Sequence, residues 1–216
     1  MSRYPYLEGG GGLVTSSREL IDVYKQRLFR YGFSAQTLLY RTEDQHAAKL
    51  RAAGDALAGH VREGESLLDV GCGFGKLLEF YAPRGPYLGI DLVEEFVLEA
   101  RRRFPDGIFL VGDVVDSARR ADWISLVGVL SSVPDPERLL RHCLQRVGRG
   151  AVFDVTVARR LPPSFKLLNR FKCAAIRQLV GKDGLLVSEE LDGGRSWRLF
   201  VVERCQIGKV GADSRE

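Results

Sequence analysis

Three glycines stand at alternate positions behind an aspartate in one short stretch of the chain, DVGCGFG, which runs from Asp69 to Gly75. The run SLLDV, which begins at Ser66, leads into it and is apolar enough to predict a strand buried on both faces. Glycine allows a sharp turn and lets the backbone approach a ligand closely. The stretch is therefore predicted to form a ligand-binding loop between a strand and a helix.

The phosphate-binding loop GxxxxGK[ST] is one pattern that such a stretch could represent. In the register set by Gly75 and Lys76, Val70 occupies the position of the first glycine. Leu77 occupies the position of the hydroxyl that binds magnesium. Both departures argue against a nucleoside triphosphatase.

The dinucleotide pattern GxGxxG is a second possibility. Its third glycine, which lets the helix pack closely on the strand, would be Lys76 or Leu78 in the two available registers. The carboxylate of Asp69 would also repel a pyrophosphate, whereas it could accept hydrogen bonds from a cationic group. The loop is therefore expected to bind a positively charged ligand.

Acids also follow the next two predicted strands. Asp91 lies 22 residues beyond Asp69, close to the ~20-residue interval at which an acid meets ribose hydroxyls in nucleotide-binding folds. Asp113 follows the third predicted strand, and the fourth runs into Val127 and Gly128. Because ligands of such folds bind at the carboxyl ends of the strands, these residues are expected to line one crevice.

The loop DxGxGxG and the acid at Asp91 resemble the class I S-adenosylmethionine-dependent methyltransferases, and the resemblance spans residues 66–158. It implies S-adenosyl-L-methionine as the cofactor. It also implies that Asp91 binds the ribose, while Asp113 and the amide of Val114 contact the adenine. The implied cofactor-binding residues are Asp69, Gly71, Cys72, Gly73, Gly75, Asp91, Leu92, Gly112, Asp113, Val114, Val127, Gly128 and Tyr31.

The regular elements are predicted from apolar periodicity, capping residues and glycine or proline breaks. Strands are predicted at Ser66–Val70, Tyr87–Asp91, Ile108–Val111, Trp123–Leu130, Ala151–Val157, Leu185–Leu191 and Trp197–Val202. Helices are predicted from Ser16 to Gly32, Thr42 to Gly59, Gly75 to Tyr81, Val93 to Phe104, Asp135 to Gly148 and Ser164 to Val180. Three of them have an N-cap candidate, at Ser16, Thr42 and Asp135.

Strands and helices thus alternate and close in one antiparallel hairpin, which predicts a doubly wound α/β sheet. The resemblance extends this to a single, mostly parallel seven-stranded sheet with an antiparallel C-terminal strand. Residues 1–60 are expected to form a flexible N-terminus and a helical cap, 61–207 the Rossmann-like core and 208–216 a loose tail. In the resembling family an aromatic or basic cap residue often holds the methionine carboxylate, for which Tyr24 and Arg30 are candidates beside Tyr31.

Composition sets outer limits on the function. A chain of 216 residues with a net charge of +4 fits one globular domain and lacks a general nucleic-acid footprint. Its longest central stretch without charge, Trp123 to Pro134, is too short for a membrane span, and the N-terminus lacks a secretory signal, so a cytoplasmic protein is expected. The four cysteines form no CxxC pair, so neither a metal site nor a disulfide framework is expected.

Several residues that could do chemistry have plainer interpretations. Cys72 has no base beside it in the sequence and is expected to be an inert loop residue. His46, His60 and His142 each stand alone on a predicted helix and are expected to be structural or solvent-facing. The basic helix 164–180 is interpreted as a solvated face, with an anionic substrate or nucleic acid as the alternative.

The sequence therefore predicts methyl transfer from S-adenosylmethionine, most simply to a small molecule, with no membrane or metal involved. No catalytic residue is identified, since in-line displacement needs only alignment and exclusion of water. After the fourth strand the chain has neither the Asn/Asp-Pro-Pro-aromatic turn of amino methyltransferases nor a Pro-Cys nucleophile. A protein or RNA acceptor, a non-catalytic cofactor-binding module with an RNA or protein partner, and a nicotinamide-dependent oxidoreductase remain as alternatives.

Overall fold

The computed structural model of the chain describes residues 16–157, 169, 171–192 and 197–204. The α-helices are α1 (Ser17–Tyr31), α2 (Glu43–His60), α3 (Glu94–Arg103), α4 (Pro136–Leu144) and α5 (Cys173–Lys182). The strands are β1 (Leu67–Val70), β2 (Tyr87–Asp91), β3 (Ile108–Val111), β4 (Ala121–Leu126), β5 (Val147–Thr156), β6 (Leu185–Asp192) and β7 (Trp197–Arg204). Two short 3-10 helices span Lys76–Glu79 and Val114–Asp116.

The described strands form one sheet in the order β3-β2-β1-β4-β5-β7-β6. The first five strands pair in parallel, whereas β7 is antiparallel to both β5 and β6. This topology confirms the predicted doubly wound sheet and its C-terminal hairpin. Because the chain winds from β1 to β2 in one direction and to β4 in the other, a crevice opens between the carboxyl ends of β1 and β4.

Helices cover both faces of this sheet. The apolar sides of α4 and α5 pack on one face, and those of α2 and α3 pack on the other. All four residues of β1 are buried, as its apolar sequence predicts. Helix α1 lies apart from both layers and packs Tyr24 and Leu28 against Phe74 and Phe96. The loop after β1 is therefore held between the sheet and α1.

Helix α2, which the sequence groups with the cap, contributes Leu50, Ala53 and Leu57 to the apolar core. These side chains are almost fully buried beneath the sheet. The domain boundaries at residues 60 and 207 stay predictions.

Three of the predicted helix starts are confirmed by their side-chain caps. Ser16 Oγ accepts a hydrogen bond from the amide of Glu19 at 3.2 Å, and Thr42 Oγ1 accepts one from the amide of Gln45 at 3.2 Å. The carboxylate of Asp135 accepts the amide of Arg138, with proline at the first helical position. Side-chain oxygens at these positions satisfy amides that the first turn leaves unpaired.

Some element boundaries differ from the sequence expectation. The helix expected over Gly75–Tyr81 is only a 3-10 turn, and β4 ends at Leu126 instead of Leu130. Strand β5 begins at Val147, four residues before the expected Ala151, because the glycines there serve packing and not a turn. A Cβ on Gly150 would lie 2.7 Å from the ring of Trp123, so only glycine lets β5 continue beside β4.

Of the basic helix expected from Ser164 to Val180, the described part is α5, which begins at Cys173. The amide of Phe171 donates to the carbonyl of Thr156, so the chain is still extended two residues before the helix. Residues 1–15, with the glycine tract, and residues 158–168, 170, 193–196 and 205–216 lie outside the described residues.

In the part of the chain that the structure describes, no helix is long and apolar enough to cross a membrane. In the same part, no group of three His, Cys, Asp or Glu side chains is arranged to hold a metal ion. Cys72, Cys143 and Cys173 are free thiols.

Candidate active site

A cavity of about 460 Å³ opens at the carboxyl ends of β1 to β4, within the range of ~300–1,000 Å³ that is usual for small-molecule sites. Most of the residues that the sequence implies for cofactor binding line it, and only Gly75 and Tyr31 do not. Those in the wall are Asp69, Gly71, Cys72, Gly73, Asp91, Leu92, Gly112, Asp113, Val114, Val127 and Gly128. The fold thus brings four separate strand ends to one crevice.

The loop after β1 has left-handed backbone at each of its glycines, with φ of +70° at Gly71, +54° at Gly73 and +75° at Gly75. A side chain on Gly71 would overlap a methyl group of Val129. Gly75 packs against the ring of Phe104, so it serves the turn into the next element and not the cavity wall. Left-handed backbone and close packing together explain why the loop uses glycine.

Asp91 ties the end of β2 to the glycine loop. Its Oδ2 accepts the amide of Gly73 at 2.9 Å, and its Oδ1 accepts the amide of Val93 at 2.9 Å. Burial raises the pKa of this carboxyl, an effect that the amide hydrogen bonds partly offset. The spacing between Asp69 and Asp91 thus reflects a direct link between the loop after β1 and the end of β2.

Asp69 is buried at the end of β1 with both carboxylate oxygens in use. Tyr87 Oη donates to Oδ2 at 2.9 Å, and Ser125 Oγ donates to Oδ1. Burial raises the pKa of Asp69 to about 6, the hydrogen bonds from Ser125 and Tyr87 oppose this, and the charge of Asp91 adds to it. Both acids therefore stand in one wall, close enough to influence each other.

Asp113 stands after β3, at the other end of the cavity. It caps the short helix that begins at Val114, since its Oδ1 accepts the amide of Val115 at 2.9 Å. Ser17 Oγ, at the start of α1, donates to its Oδ2 at 3.5 Å. Helix α1 thus reaches across the cavity to the β3 side.

Of the three candidates for holding the methionine carboxylate, Tyr24, Arg30 and Tyr31, only Tyr24 lines the cavity. Tyr24 lines the wall, and its hydroxyl donates to Ser132 Oγ at 3.1 Å, across from α1 to the segment after β4. Burial raises the pKa of Tyr24 to about 12, so the phenol stays protonated. Tyr31 lies seven residues further along α1, about 10 Å along the axis, where it is exposed beside Arg30 and outside the wall.

Sequence reasoning missed the segment of residues 32–42 between α1 and α2, which we call the connector. Leu38 places two methyl groups 3.7 Å from the position of a Cβ on Gly73, and the Tyr40 hydroxyl packs directly against Gly128. Both line the cavity. The connector has no regular structure, and no periodic pattern in the sequence could have revealed its position.

His46, near the start of α2, also lines the cavity. Its ring stacks on Tyr40 with centroids 4.3 Å apart, and only 3% of the residue is exposed. Burial, with the charge of Lys76, lowers the pKa of His46 to about 4, so the ring is neutral at physiological pH. The sequence showed a lone histidine, and only the fold brings it to the cavity.

A buried ion pair lies behind this wall. Lys49 Nζ of α2 lies 2.6 Å from Asp154 Oδ2 of β5, and Asp154 is completely buried. The other oxygen of Asp154 accepts the amide of Gly128. The pair therefore connects α2 to the backbone at the carboxyl end of β4.

Cys72 lies in the glycine loop, but its surroundings do not favour a reactive thiol. Its thiol is buried against the position where a Cβ on Gly89 would stand. Burial and the charges of Asp91 and Asp69 raise the thiol pKa well above its ordinary value. A thiol that stays protonated is a poor nucleophile, which supports the inert interpretation.

Comparison with known proteins gives the same picture. A family model described as a methyltransferase domain matches residues 40–203. The chain is 34% identical over 89 residues to a dTDP-3-amino-3,4,6-trideoxy-alpha-D-glucopyranose N,N-dimethyltransferase from Streptomyces venezuelae, a match that covers 41% of this chain and 38% of the relative. It is 31% identical over 115 residues to a ubiquinone biosynthesis O-methyltransferase from Leptothrix cholodnii, covering 49% of each. The matched region is less than half the length of either relative.

Solved structures share the fold at low sequence identity. One is a magnesium protoporphyrin IX methyltransferase from Synechocystis PCC 6803 with bound SAH, with a TM-score of 0.58, 20% identity and 90% of each chain covered. Another is a [4+2]-cyclase, with a TM-score of 0.61 and 14% identity, covering 71% of this chain and 80% of that one. At such identities the likeness concerns the fold alone.

The strand order, the glycine loop after β1 and the acid at the end of β2 together define a class I S-adenosylmethionine-dependent methyltransferase domain. The chain belongs to this methyltransferase family, since the family model matches more than half of it. The cofactor of the family is S-adenosyl-L-methionine.

The cavity fits that cofactor in two respects. The space beside Gly73 is open except for the methyl groups of Leu38, so a ligand can approach the backbone there. The oxygens of Asp91 accept the amides of Gly73 and Val93, with the amide of Leu92 also interacting, and the lone pairs that remain can accept hydrogen bonds from ribose hydroxyls.

Proposed function

We propose that this chain binds S-adenosyl-L-methionine in the cavity and transfers its methyl group to a small molecule. The observation that carries the proposal is the Asp91 carboxylate, which is fixed to the amide of Gly73 at 2.9 Å and lines the same cavity as Asp69 and Asp113. One crevice therefore has three acids, one each for the adenine, the ribose and the ammonium group of the proposed cofactor.

Each end of the proposed cofactor has a residue to bind it. Asp91 accepts hydrogen bonds from the ribose hydroxyls, while Asp113 and the amide of Val114 bind the adenine. Asp69 provides negative charge near the ammonium group, and Gly73 leaves room for the backbone to approach. Leu92, Gly112 and Val127 complete the wall by apolar and backbone contact.

When bound, S-adenosylmethionine supplies an electrophilic methyl group on a sulfonium. The protein must align an acceptor with this group and exclude water. The hydrogen bond between Tyr24 and Ser132 joins α1 to the segment after β4 and shields the cavity from one side. Leu38 and Tyr40 of the connector shield it from another.

A small molecule is the acceptor class that two observations favour. The cavity is lined by α1, the connector and α2 as well as by the strand ends, so it is a concave pocket and not a broad flat surface. The Streptomyces venezuelae relative is named for an amino sugar nucleotide and the Leptothrix cholodnii relative for ubiquinone biosynthesis, both of them small-molecule chemistries. A cytoplasmic location is part of the same proposal.

Calorimetry with S-adenosylhomocysteine, followed by incubation with methyl-labelled S-adenosylmethionine and fractionated cell extract, tests the function. We expect micromolar binding and label in the small-molecule fraction. Binding without label in any fraction would favour a cofactor-binding module with an RNA or protein partner. Label in protein or RNA would change the acceptor class, and binding of NADH in place of S-adenosylhomocysteine would favour an oxidoreductase.

A further inference from the structure

The strand order determines which end of the cavity would hold each part of the proposed cofactor. Asp113 follows β3 and Asp91 ends β2, so the adenine and the ribose of the proposed cofactor lie toward that side of the sheet. The methyl group then lies beyond the glycine loop, toward the carboxyl end of β4. This placement rests on the proposed function.

The connector crosses the cavity at this end. Leu38 lies above Gly73, and Tyr40 packs against Gly128, which follows β4. Between them, Leu39 has a φ of +67°, in the left-handed region that leucine rarely adopts. Strained backbone of this kind clusters at functional sites. The connector thus holds Leu38 and Tyr40 against the two loops that flank the methyl group.

The connector is fastened from both sides. The guanidinium of Arg27 donates to the carbonyl oxygens of Gln36 and Thr37, which ties the connector to α1. Glu43 accepts the amide of Ala35 at 2.6 Å and forms an ion pair of 2.9 Å with Lys76. The wall that faces the acceptor is therefore held in place by contacts within the protein.

His46 also belongs to this wall, and one of its ring nitrogens has no hydrogen-bond partner among the described residues. Its ring stacks on Tyr40 and is almost fully buried, yet its Nδ1 has no hydrogen-bond partner among the residues that the structure describes. Buried polar atoms are nearly always paired with protein, water or an ion, so an unpaired atom on a side chain of the cavity wall marks a place where a ligand group can bind. A half-turn about the Cβ–Cγ bond keeps the ring stacked and exchanges its two edges, so either edge can meet a ligand.

We propose that the acceptor is an aromatic hydroxyl compound and that the imidazole of His46 takes the hydroxyl proton during methyl transfer. The oxygen–methyl bond forms as the sulfur–methyl bond breaks, and the electron pair of the broken bond stays on sulfur. The proton moves to the unpartnered imidazole nitrogen and from there to water. One positive charge disappears from sulfur as one appears on the ring, so the net charge of the site does not change.

The surroundings of His46 favour an aromatic hydroxyl over an amine. Apolar and aromatic side chains of the wall at this end suit a flat apolar acceptor; they are Leu38, Tyr40, Leu50, Val127 and Val129. An ammonium acceptor would place a second positive charge beside the sulfonium, in reach of Lys49 and Lys76. A neutral hydroxyl avoids this repulsion and offers a proton to the ring.

The charged and titratable groups around His46 keep its ring neutral, so that a lone pair is free before the reaction. The hydroxyl proton becomes strongly acidic as its oxygen gains the methyl group, so even a weakly basic imidazole can take it. Lys76 from the turn after the glycine loop and Lys49 from α2 oppose its protonation, while Glu43 of α2 favours it. Tyr40 from the connector is buried with a raised pKa and stays neutral. With a pKa of about 4, the ring is unprotonated throughout the neutral range.

The first test is nitrogen-15 NMR of the imidazoles in the S-adenosylhomocysteine complex, with phenol as the probe. His46→Gln identifies the signals of His46 by their loss. Phenol is expected to shift these signals in the direction of an accepted hydrogen bond. The signals of His60, on the same helix but paired with Glu189 and Glu203, are expected to stay in place.

The second test is transfer of labelled methyl from S-adenosylmethionine to phenol, with benzylamine, an ammonium ion at neutral pH, as the matched amine. His46→Gln is expected to lower the rate to phenol about 100-fold or more, with affinity for S-adenosylhomocysteine within about threefold of wild type. The loss is expected to shrink about tenfold per pH unit between pH 7 and 9, as phenolate forms by itself. His60→Gln serves as the control and keeps the wild-type rate.

The outcomes separate this inference from the proposed function. If S-adenosylhomocysteine does not bind, the proposed function fails and His46 has no such role. If it binds, the inference is overturned by any of three results: phenol leaves the His46 signals unmoved, the wild type methylates benzylamine but not phenol or methylates neither, or His46→Gln methylates phenol at the wild-type rate.

Discussion

Asp91 is the residue whose replacement tests cofactor binding most directly. A hydrogen bond from a ligand hydroxyl to a charged group contributes about 1.5–3 kcal/mol, so Asp91→Ala is expected to weaken S-adenosylhomocysteine binding about 10- to 150-fold. Calorimetry measures the change, with the exposed Asp106→Ala as the control. An unchanged dissociation constant in Asp91→Ala would show that the ribose lies elsewhere.

Asp69 makes the stability of the ligand-free protein depend on pH. Its pKa rises from an ordinary value of 3.8 to about 6 on folding, because the buried carboxylate loses its hydration. The folded state thus binds this proton more tightly than the unfolded state does. The stabilisation from Asp69 is present below about pH 4 and is lost as the pH rises through about 6.

The variant Asp69→Asn isolates this effect, since other carboxyls of the protein titrate in both forms. At pH 4 the two proteins each carry a neutral side chain, whereas at pH 7.5 only the wild type buries a charge. The stability of Asp69→Asn relative to wild type is expected to rise by about 2–3 kcal/mol between these pH values. Urea unfolding without cofactor measures it, and a constant difference would contradict the raised pKa.

Residue types and spacing predicted the acids of the cavity but not their partners. Asp69 and Asp91 follow from the glycine pattern and the 22-residue interval. Ser125 meets Asp69 only because β1 and β4 pair with these two residues in register. Such cross-strand neighbours depend on the order of strands in the sheet, which local sequence does not contain.

At the scale of elements, capping residues and apolar runs predicted several helix starts and most strand positions. Segments without regular structure could not be predicted in this way. The connector has no period, so neither Leu38 nor Tyr40 could be placed in the site. The early start of β5 was missed because Gly148 and Gly150 look like a helix end. In the fold, Gly150 is required by the ring of Trp123 on the neighbouring strand, a tertiary constraint.

The glycine loop allows a paired prediction that separates folding from binding. Gly71→Ala forces a methyl group into Val129 at positive φ, which should destabilise the protein by about 2–4 kcal/mol. Gly73→Ala meets only Leu38 at 3.7 Å, so it should cost about 1 kcal/mol of stability while projecting into the cofactor space.

Urea unfolding and calorimetry with S-adenosylhomocysteine measure the two effects separately. Gly73→Ala is expected to lose more affinity than stability, and Gly71→Ala to lose stability first. If the two variants lose stability equally, the packing of Gly71 against Val129 does not govern the loop.

For the molecule as a whole, the pair of Lys49 and Asp154 joins the N-terminal helices to the centre of the sheet. Lys49→Met leaves a fully buried carboxylate without its counter-charge, which should destabilise the protein by about 3–5 kcal/mol. The double variant Lys49→Met/Asp154→Asn removes both charges and keeps an oxygen for the amide of Gly128. It is therefore expected to recover most of the loss.

Urea unfolding of the two single variants and the double variant forms a double-mutant cycle that measures the coupling. A strong coupling would mean that α2 folds as part of the sheet domain, so that a cut near residue 60 would expose core and not release a separate cap. Additive losses in the cycle would mean instead that the two charges act independently and that α2 is held by its apolar face alone.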